Sequence, residues 1–299
     1  MTKTPSRLAV ILLAVLVTFF WSTSWVLIKI GLRNPLPALS FAGLRYFTAF
    51  LCLIPFVLFN PDERAVLKNL NRSDWSKLIW LGVTLIALTQ GAQFVSLTYL
   101  PSVMVSLLLN LSPILVGFMS LIWYREPTTK IQWTGILISA AGTLIYFLPV
   151  DFPEAKVIGL LAAAVGILSN AYATLLGRHV NQQTHLSPLI VTSVSMGIGS
   201  ILMLIAGGLT QGLGKPSLLD WGIILWLAIV NTALAFTLWN FTQRTLTAIE
   251  SSLINSLMLP QIAILAFIFL GERVTFKEIL GLLLVGFGAL IVQWKSQRG

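Results

Sequence analysis

Charge is scarce in this chain: Asp, Glu, Lys and Arg make up 10% of 299 residues, against 57% hydrophobic side chains and a mean hydropathy of +0.89. Soluble domains carry roughly 25% charged residues, so a soluble fold is excluded. Cysteine is nearly absent; the single Cys52 rules out an intramolecular disulfide and, inside an apolar run, reads as core packing. The two histidines are equally uninformative for metal binding: His179 follows Arg178 at a helix end and His185 falls in a connection, so neither a metal nor a cofactor is expected. Acidic residues number ten, and Asp62, Asp74, Asp151 and Asp220 all lie near the ends of apolar runs. A mid-membrane Asp pair or a Ser–His arrangement is missing, which sets an intramembrane enzyme well behind other functions. Gly212-Leu-Gly214-Lys215-Pro216-Ser217 resembles a fragment of a phosphate loop, but Pro216 stands where the hydroxyl residue belongs and the upstream glycine spacing is wrong. Any transport therefore runs on a gradient and not on ATP.

What fills the chain instead is apolar runs long enough to cross a bilayer. Hydrocarbon offers no hydrogen-bond partners, so each run must satisfy its backbone internally as a helix. The pattern predicts an all-α membrane protein with ten transmembrane helices over 8–30, 37–59, 77–100, 102–124, 130–148, 155–178, 186–210, 218–243, 248–270 and 275–294. Lys3 and Arg7 precede the first run, which continues to Ile30 without a small-residue cleavage site, so it is expected to stay as helix 1.

Basic residues set the orientation. With the N-terminus inside, twelve fall on the inner face (Lys3, Arg7, Arg64, Lys68, Arg72, Lys77, Arg125, Lys130, Arg178, Arg244, Lys295, Arg298) and six on the outer (Lys29, Arg33, Lys156, Lys215, Arg273, Lys277). This excess predicts two cytoplasmic termini in an inner membrane. It also accounts for the net charge of +9 as contact with anionic lipid, so the bilayer is the expected macromolecular partner and nucleic acid is not.

The chain is written twice. Ile122-Trp-Tyr-Arg-Glu126-Pro-Thr-Thr129, with Gly135 and Gly142 following, recurs at an offset of 146 as Ile268-Phe-Leu-Gly-Glu272-Arg-Val-Thr275, with Gly281 and Gly288 following. Five helices per copy is an odd number, so the repeats 1–148 and 149–299 are expected to insert upside down relative to each other, the plan of carriers that open a central site alternately to each side. The glycine pairs, seven residues apart, line one helix face each and permit close backbone approach. Pro113 and Pro260 interrupt the fourth helix of each copy and are candidate gating hinges.

These residues resemble the EamA-type members of the drug/metabolite transporter superfamily. The carriers of the resemblance are Pro113 to Glu126 with Gly135 and Gly142, Pro260 to Glu272 with Gly281 and Gly288, Phe20-Trp21-Ser22-Thr23-Ser24-Trp25 leading to Lys29, and Leu44-Arg45-Tyr46. It covers the full length. The first copy departs from the family's usual Gly-Glu with Arg125-Glu126-Pro127, and Pro260 lies one residue beyond the repeat position of Pro113. The resemblance implies a secondary transporter of amino acids, other metabolites or toxic organic compounds, with a cavity lined by helices 1, 3, 4, 6, 8 and 9.

The residues themselves suggest the same cavity. Neutral polar side chains fall near mid-membrane, where lipid exposure costs about 1 to 3 kcal/mol each. The candidate substrate-binding set is Trp21, Ser24, Gln90, Gln93, Asn110, Asn170, Tyr172, Asn231, Trp239 and Asn255. Any one of them serves equally well as hydrogen-bond glue between helices. Amides with aromatic rings suit a zwitterion or a planar cation. Two charges remain: Arg45, read first as snorkelling or bonding to loop carbonyls and second as a carboxylate ligand, and Glu250, read first as a helix-terminus charge beside Arg244 and second as a proton-coupling group. Export of small organic solutes leads, proton-coupled efflux of aromatic or cationic toxins follows, and the expected state is a monomer or weak homodimer.

Overall fold

The computed structural model describes residues 6–32, 36–100, 102–109, 111–124, 129–147, 157–183, 185–270 and 275–296. Among these every regular element is helical. The first half contains α1 (Arg7–Gly31), α2 (Ala38–Phe59), α3 (Pro61–Lys68), α4 (Arg72–Leu81), α5 (Gly91–Tyr99), α6 (Ser102–Leu109), α7 (Ser112–Met119) and α8 (Lys130–Phe147). The second contains α9 (Val157–Asn181), α10 (Pro188–Thr210), α11 (Leu218–Ala228), α12 (Ala235–Thr242), α13 (Ala248–Ser256), α14 (Met258–Leu270) and α15 (Phe276–Ser296). Seven described helices are long and apolar enough to span a bilayer, and shorter apolar helices accompany them.

The duplication governs local structure closely. α4, α6, α7 and α8 begin at residues 72, 102, 112 and 130, and α11, α13, α14 and α15 begin 146 residues later, at 218, 248, 258 and 276. Even the caps repeat. Asn71 and Asp74 form a capping box at α4, and Ser217 and Asp220 form one at α11, each satisfying two backbone N–H groups that the first helical turn leaves unpaired. The cap explains why the third span starts at Arg72 and not at the expected residue 77. The polar stretch after Asn60, expected as a connection, contains α3, started by Asn60 Oδ1 accepting from the Asp62 N–H at 3.0 Å and by Pro61 at N1.

Two of the expected continuous helices are interrupted. α6 and α7 part at Leu111, and α13 and α14 part at Leu257, the same place in each repeat. Pro113, at the second position of α7, and Pro260, in the first turn of α14, explain the interruptions: each lacks an N–H and crowds the preceding turn. Wide π-helical turns join α4 to α5 over Gly82–Gln90 and α11 to α12 over Ile229–Leu234.

Contacts between halves exchange partners in the same way. α1 packs on α14 and α12, while α9 packs on α7 and α5; α2 packs on α10, and α8 on α15. The last pair is held by glycine. A Cβ on Gly142 would sit 2.6 Å from the Gly281 carbonyl oxygen, and one on Gly288 would sit 2.6 Å from that of Gly135. Only hydrogen fits at either contact, so these helices scaffold the molecule away from its polar centre. The Glu126 and Glu272 copies of the repeat motif lie outside the described residues.

Candidate functional site

One cavity in the centre of the molecule is walled by α1, α2, the Gly82–Gln90 turn, α5, α6, α9, α12, α13 and α14. Its volume is about 90 Å³.

The wall is built from both kinds of helix irregularity. In the π-helical turns over Gly82–Gln90 and Ile229–Leu234 a threonine hydroxyl reaches back five residues: Thr89 Oγ1 donates to the Thr84 carbonyl at 2.7 Å and Thr232 Oγ1 to that of Leu227 at 2.8 Å. Such turns break the i→i−4 ladder and free polar groups for other partners. The interrupted helices contribute Ser106 and Leu109 just before the first break, and Ser251, Ser252, Asn255 and Met258 around the second.

Of the residues expected from sequence, Trp21, Ser24, Gln90, Gln93, Asn170, Trp239 and Asn255 share this wall. Asn170 is steadied by Thr174, whose hydroxyl lies 3.2 Å from its Oδ1. Asn231 stands one layer behind. Its Nδ2 donates to the Phe20 carbonyl, to Thr23 Oγ1 at 2.7 Å and to Ser24 Oγ at 3.0 Å, tying α1 to the second π-helical turn. Tyr172 is not among the lining residues either; it packs on the cluster of Val57, Leu78, Leu176 and Ile190. Asn110 lies outside the described residues.

Tyr46, Thr89, Ser106, Thr174, Phe236 and Ser251 also line the cavity and were not singled out. Depth alone was the signal available for them, because Thr and Ser are common as helix glue and Tyr46 looked like part of a motif. α2, which was outside the expected lining set of helices, supplies both Arg45 and Tyr46.

Arg45 neither snorkels nor reaches a loop. It is 3% exposed. Its Nε donates to Thr232 Oγ1 at 2.8 Å, and its Nη2 to Ser24 Oγ and to the Asn231 carbonyl, both at 3.4 Å. The guanidinium lies 5.1 Å from the centre of the Tyr46 ring. All these partners are neutral, and no described Asp or Glu pairs with it.

Glu250 is also buried, but it belongs elsewhere. One carboxylate oxygen pairs with Arg7 Nη2 at 2.5 Å; the other accepts the Thr247 N–H at 2.8 Å, completing a capping box at α13. Its cationic neighbour is thus Arg7 at the start of α1, and not Arg244 as expected. Arg244 donates instead to the Leu186 carbonyl at 2.5 Å, and partial burial pulls its guanidinium below the usual pKa while Glu63 opposes the shift. Glu250 does not line the cavity.

Apolar clusters close the cavity along α1. On the Arg7 side, Val10, Ile11, Ala14 and Val17 meet Ala235, Leu246 and Ile254. On the other, Trp25 meets Leu100, Met104, Val105 and Ile262. Between them Trp21 stacks obliquely on Phe236 and Trp239, with ring centres 4.9 and 5.0 Å apart.

A cavity lined by polar and aromatic side chains inside an apolar, duplicated helix bundle is the architecture of a multi-pass membrane protein. The sequence profile of the EamA-like transporter family matches residues 8–148 and 157–294, and the chain belongs to that family, within the drug/metabolite transporter superfamily. It is 27% identical to the uncharacterized transporter YvbV of Bacillus subtilis (strain 168), over 99% of this chain and 95% of that one. An uncharacterized transporter of Archaeoglobus fulgidus is 26% identical over 94% of this chain and 97% of its own length. Protein PecM of Dickeya dadantii (strain 3937) is 27% identical over 75% and 76%. A solved crystal structure, 18% identical, superposes with a TM-score of 0.79 over 98% of this chain and 100% of its own, and shares the fold.

Proposed function

We propose that this chain is a secondary transporter that exports small organic solutes, amino acids or related metabolites, across an inner membrane by alternating access. The observation that carries the reading is the central cavity, bounded along α1 by one apolar cluster on each side. In this reading the bundle has ten transmembrane helices in two inverted five-helix repeats, 1–148 and 149–299, with both termini cytoplasmic. Each half then supplies the thin gate that the other opens. The interruptions beside Pro113 and Pro260 sit where the cavity wall meets those gates, so they serve as the hinges.

The competing reading is proton-coupled efflux of aromatic or cationic toxins. The Trp21, Phe236 and Trp239 rings suit an aromatic solute, but a buried guanidinium in the wall repels a cation. Glu250, fastened to Arg7, makes a poor carrier of coupled protons. A facilitator or weakly coupled exporter fits better.

The test is counterflow and efflux in proteoliposomes against amino acids and organic cations, with pH imposed on each side. Amino-acid exchange without proton-driven accumulation is expected; selective uptake of organic cations would favour the competitor. Topology is tested with single cysteines in a Cys52→Ala background. Asn69→Cys and Lys215→Cys, both exposed, should label from the inside and the outside of intact cells respectively; labelling of both from one side would overturn the inverted plan.

A further inference from the structure

Arg45 is a cation without a counter-charge among the described residues. Burying an unpaired guanidinium in a membrane protein costs several kcal/mol unless something supplies the missing charge. The neutral partners of Nε and Nη2 hold the group in place, and Nη1 makes no hydrogen bond to the described residues. Two further donors stand unused in the same wall: the Trp21 indole N–H and the Tyr46 hydroxyl are buried without a hydrogen-bond partner. Both rings pack on Phe236, with centres 4.9 and 5.9 Å from it, and all three line the same cavity as Arg45.

Three donors, one of them charged, with no acidic residue among the described residues lining the cavity, describe a site short of one anion. We propose that the cavity binds its solute through a carboxylate seated on Arg45, with Tyr46 and Trp21 as flanking donors. A monoanion matches a single guanidinium; a phosphate dianion would call for a second cation, and among the described residues the wall has no lysine and no other arginine. Asn255 Oδ1, buried and without a partner on the same cavity, offers an acceptor for an N–H of the solute. The class is therefore a small carboxylate with an amino or amide group, an amino acid being the simplest member.

This inference rests on reading the cavity as a solute site, and it concerns binding, so binding and transport are measured separately. The purified full chain in detergent is titrated with leucine, phenylalanine and threonine, each beside its α-amide and its decarboxylated amine, and followed by thermal shift and by tryptophan fluorescence. At least one acid should bind about ten- to hundredfold more tightly than its amide, as expected for loss of a charge-assisted hydrogen-bonded anion. Arg45→Gln should erase that preference, and Arg45→Lys should keep part of it. The ligand series on the unmodified chain decides the matter even if Arg45→Gln fails to fold. Equal binding of acids and amides, an equal effect of chloride or phosphate, or binding of none of the probes would overturn the inference. Transport of amides or amines at the rate of the acids would overturn it while leaving the transporter reading standing. Carboxylate-selective binding with no flux in proteoliposomes would do the reverse.

Discussion

Arg45 and Glu250 are both buried charges, at 3% and 0% exposure, and their surroundings differ in kind. Around Glu250 both carboxylate oxygens are met by the protein: one by a cation from α1, the other by the Thr247 backbone N–H at the start of α13. Around Arg45 only neutral oxygens gather. A carboxylate satisfied on both oxygens fastens two helices together, here one from each repeat. A guanidinium satisfied on two of its three nitrogens is positioned and still unneutralised. Burial alone therefore says little about function, and the partner set separates fastener from binding group.

The sharpest way to break this contrast is to neutralise each charge in turn. Arg45→Gln should cut exchange of the best carboxylate solute in proteoliposomes by about ten- to hundredfold, with melting temperature little changed, because a buried charge without counter-charge contributes no net stability to lose. A large fall in melting temperature with transport lost only in proportion to folded protein would make Arg45 a fastener too.

The Glu250 side is probed by adding charge. Arg7→Glu sets two carboxylates against each other and should destabilise by about 2 kcal/mol, less than the ~3 to 5 of breaking a fully buried pair, since the Arg7 side chain is 35% exposed and water screens it. Adding Glu250→Gln to the same chain should recover most of that loss, a coupling that a double-mutant cycle reads directly. Additive effects of the two changes would mean that the pair does not interact.

Asn231 sharpens the comparison from behind the cavity. It holds Ser24 and lends its own carbonyl to Arg45, so it acts as a positioning residue. Asn231→Leu removes the amide donor shared by the Phe20 carbonyl, Thr23 and Ser24 and should cost about 1 to 3 kcal/mol of stability. Affinity should fall several-fold, while the preference for acid over amide remains. Loss of that preference would move Asn231 into direct contact with solute.

Much of this was legible in the sequence, for reasons that also mark its limits. The offset of 146 between repeat motifs revealed the duplication, and Pro113 and Pro260 marked the interruption of each fourth helix, because a proline acts on the turn beside it; the matching caps at Asn71 and Ser217 went unread, so the third span was expected from 77 and not from 72. The glycines were readable for a similar reason: a face without side chains has one use between helices. Polar depth identified Gln90, Gln93, Asn170 and Asn255 as lining residues, but it could not tell them from Asn231, since rotation about a helix axis decides which amide faces the cavity and which faces a neighbour. Widened π-helical turns shift that rotation, and nothing in the residues of Gly82–Gln90 or Ile229–Leu234 announces them. Partner choice was the other hidden quantity. Arg244 is near Glu250 in sequence, yet Arg7, 243 residues away, takes its charge.

The smallest expected effect falls on Glu250 itself. Glu250→Gln keeps an acceptor for the Thr247 N–H and a shape that fills the same space, so the capping box survives and only the charge facing Arg7 is lost. With Arg7 partly in water, stability should drop by about 1 kcal/mol. Exchange driven by a solute gradient should stay within about twofold of the unmodified chain, because the residue touches neither the cavity nor Arg45. An imposed pH gradient should concentrate no solute in either protein. A fastener at the junction of α1 and α13 can still tune how readily that gate opens, and such an effect would change inward- and outward-facing rates without creating uphill transport. Proton-driven accumulation by the unmodified chain, abolished in Glu250→Gln, would instead make this carboxylate the coupling site and would erase its difference from Arg45.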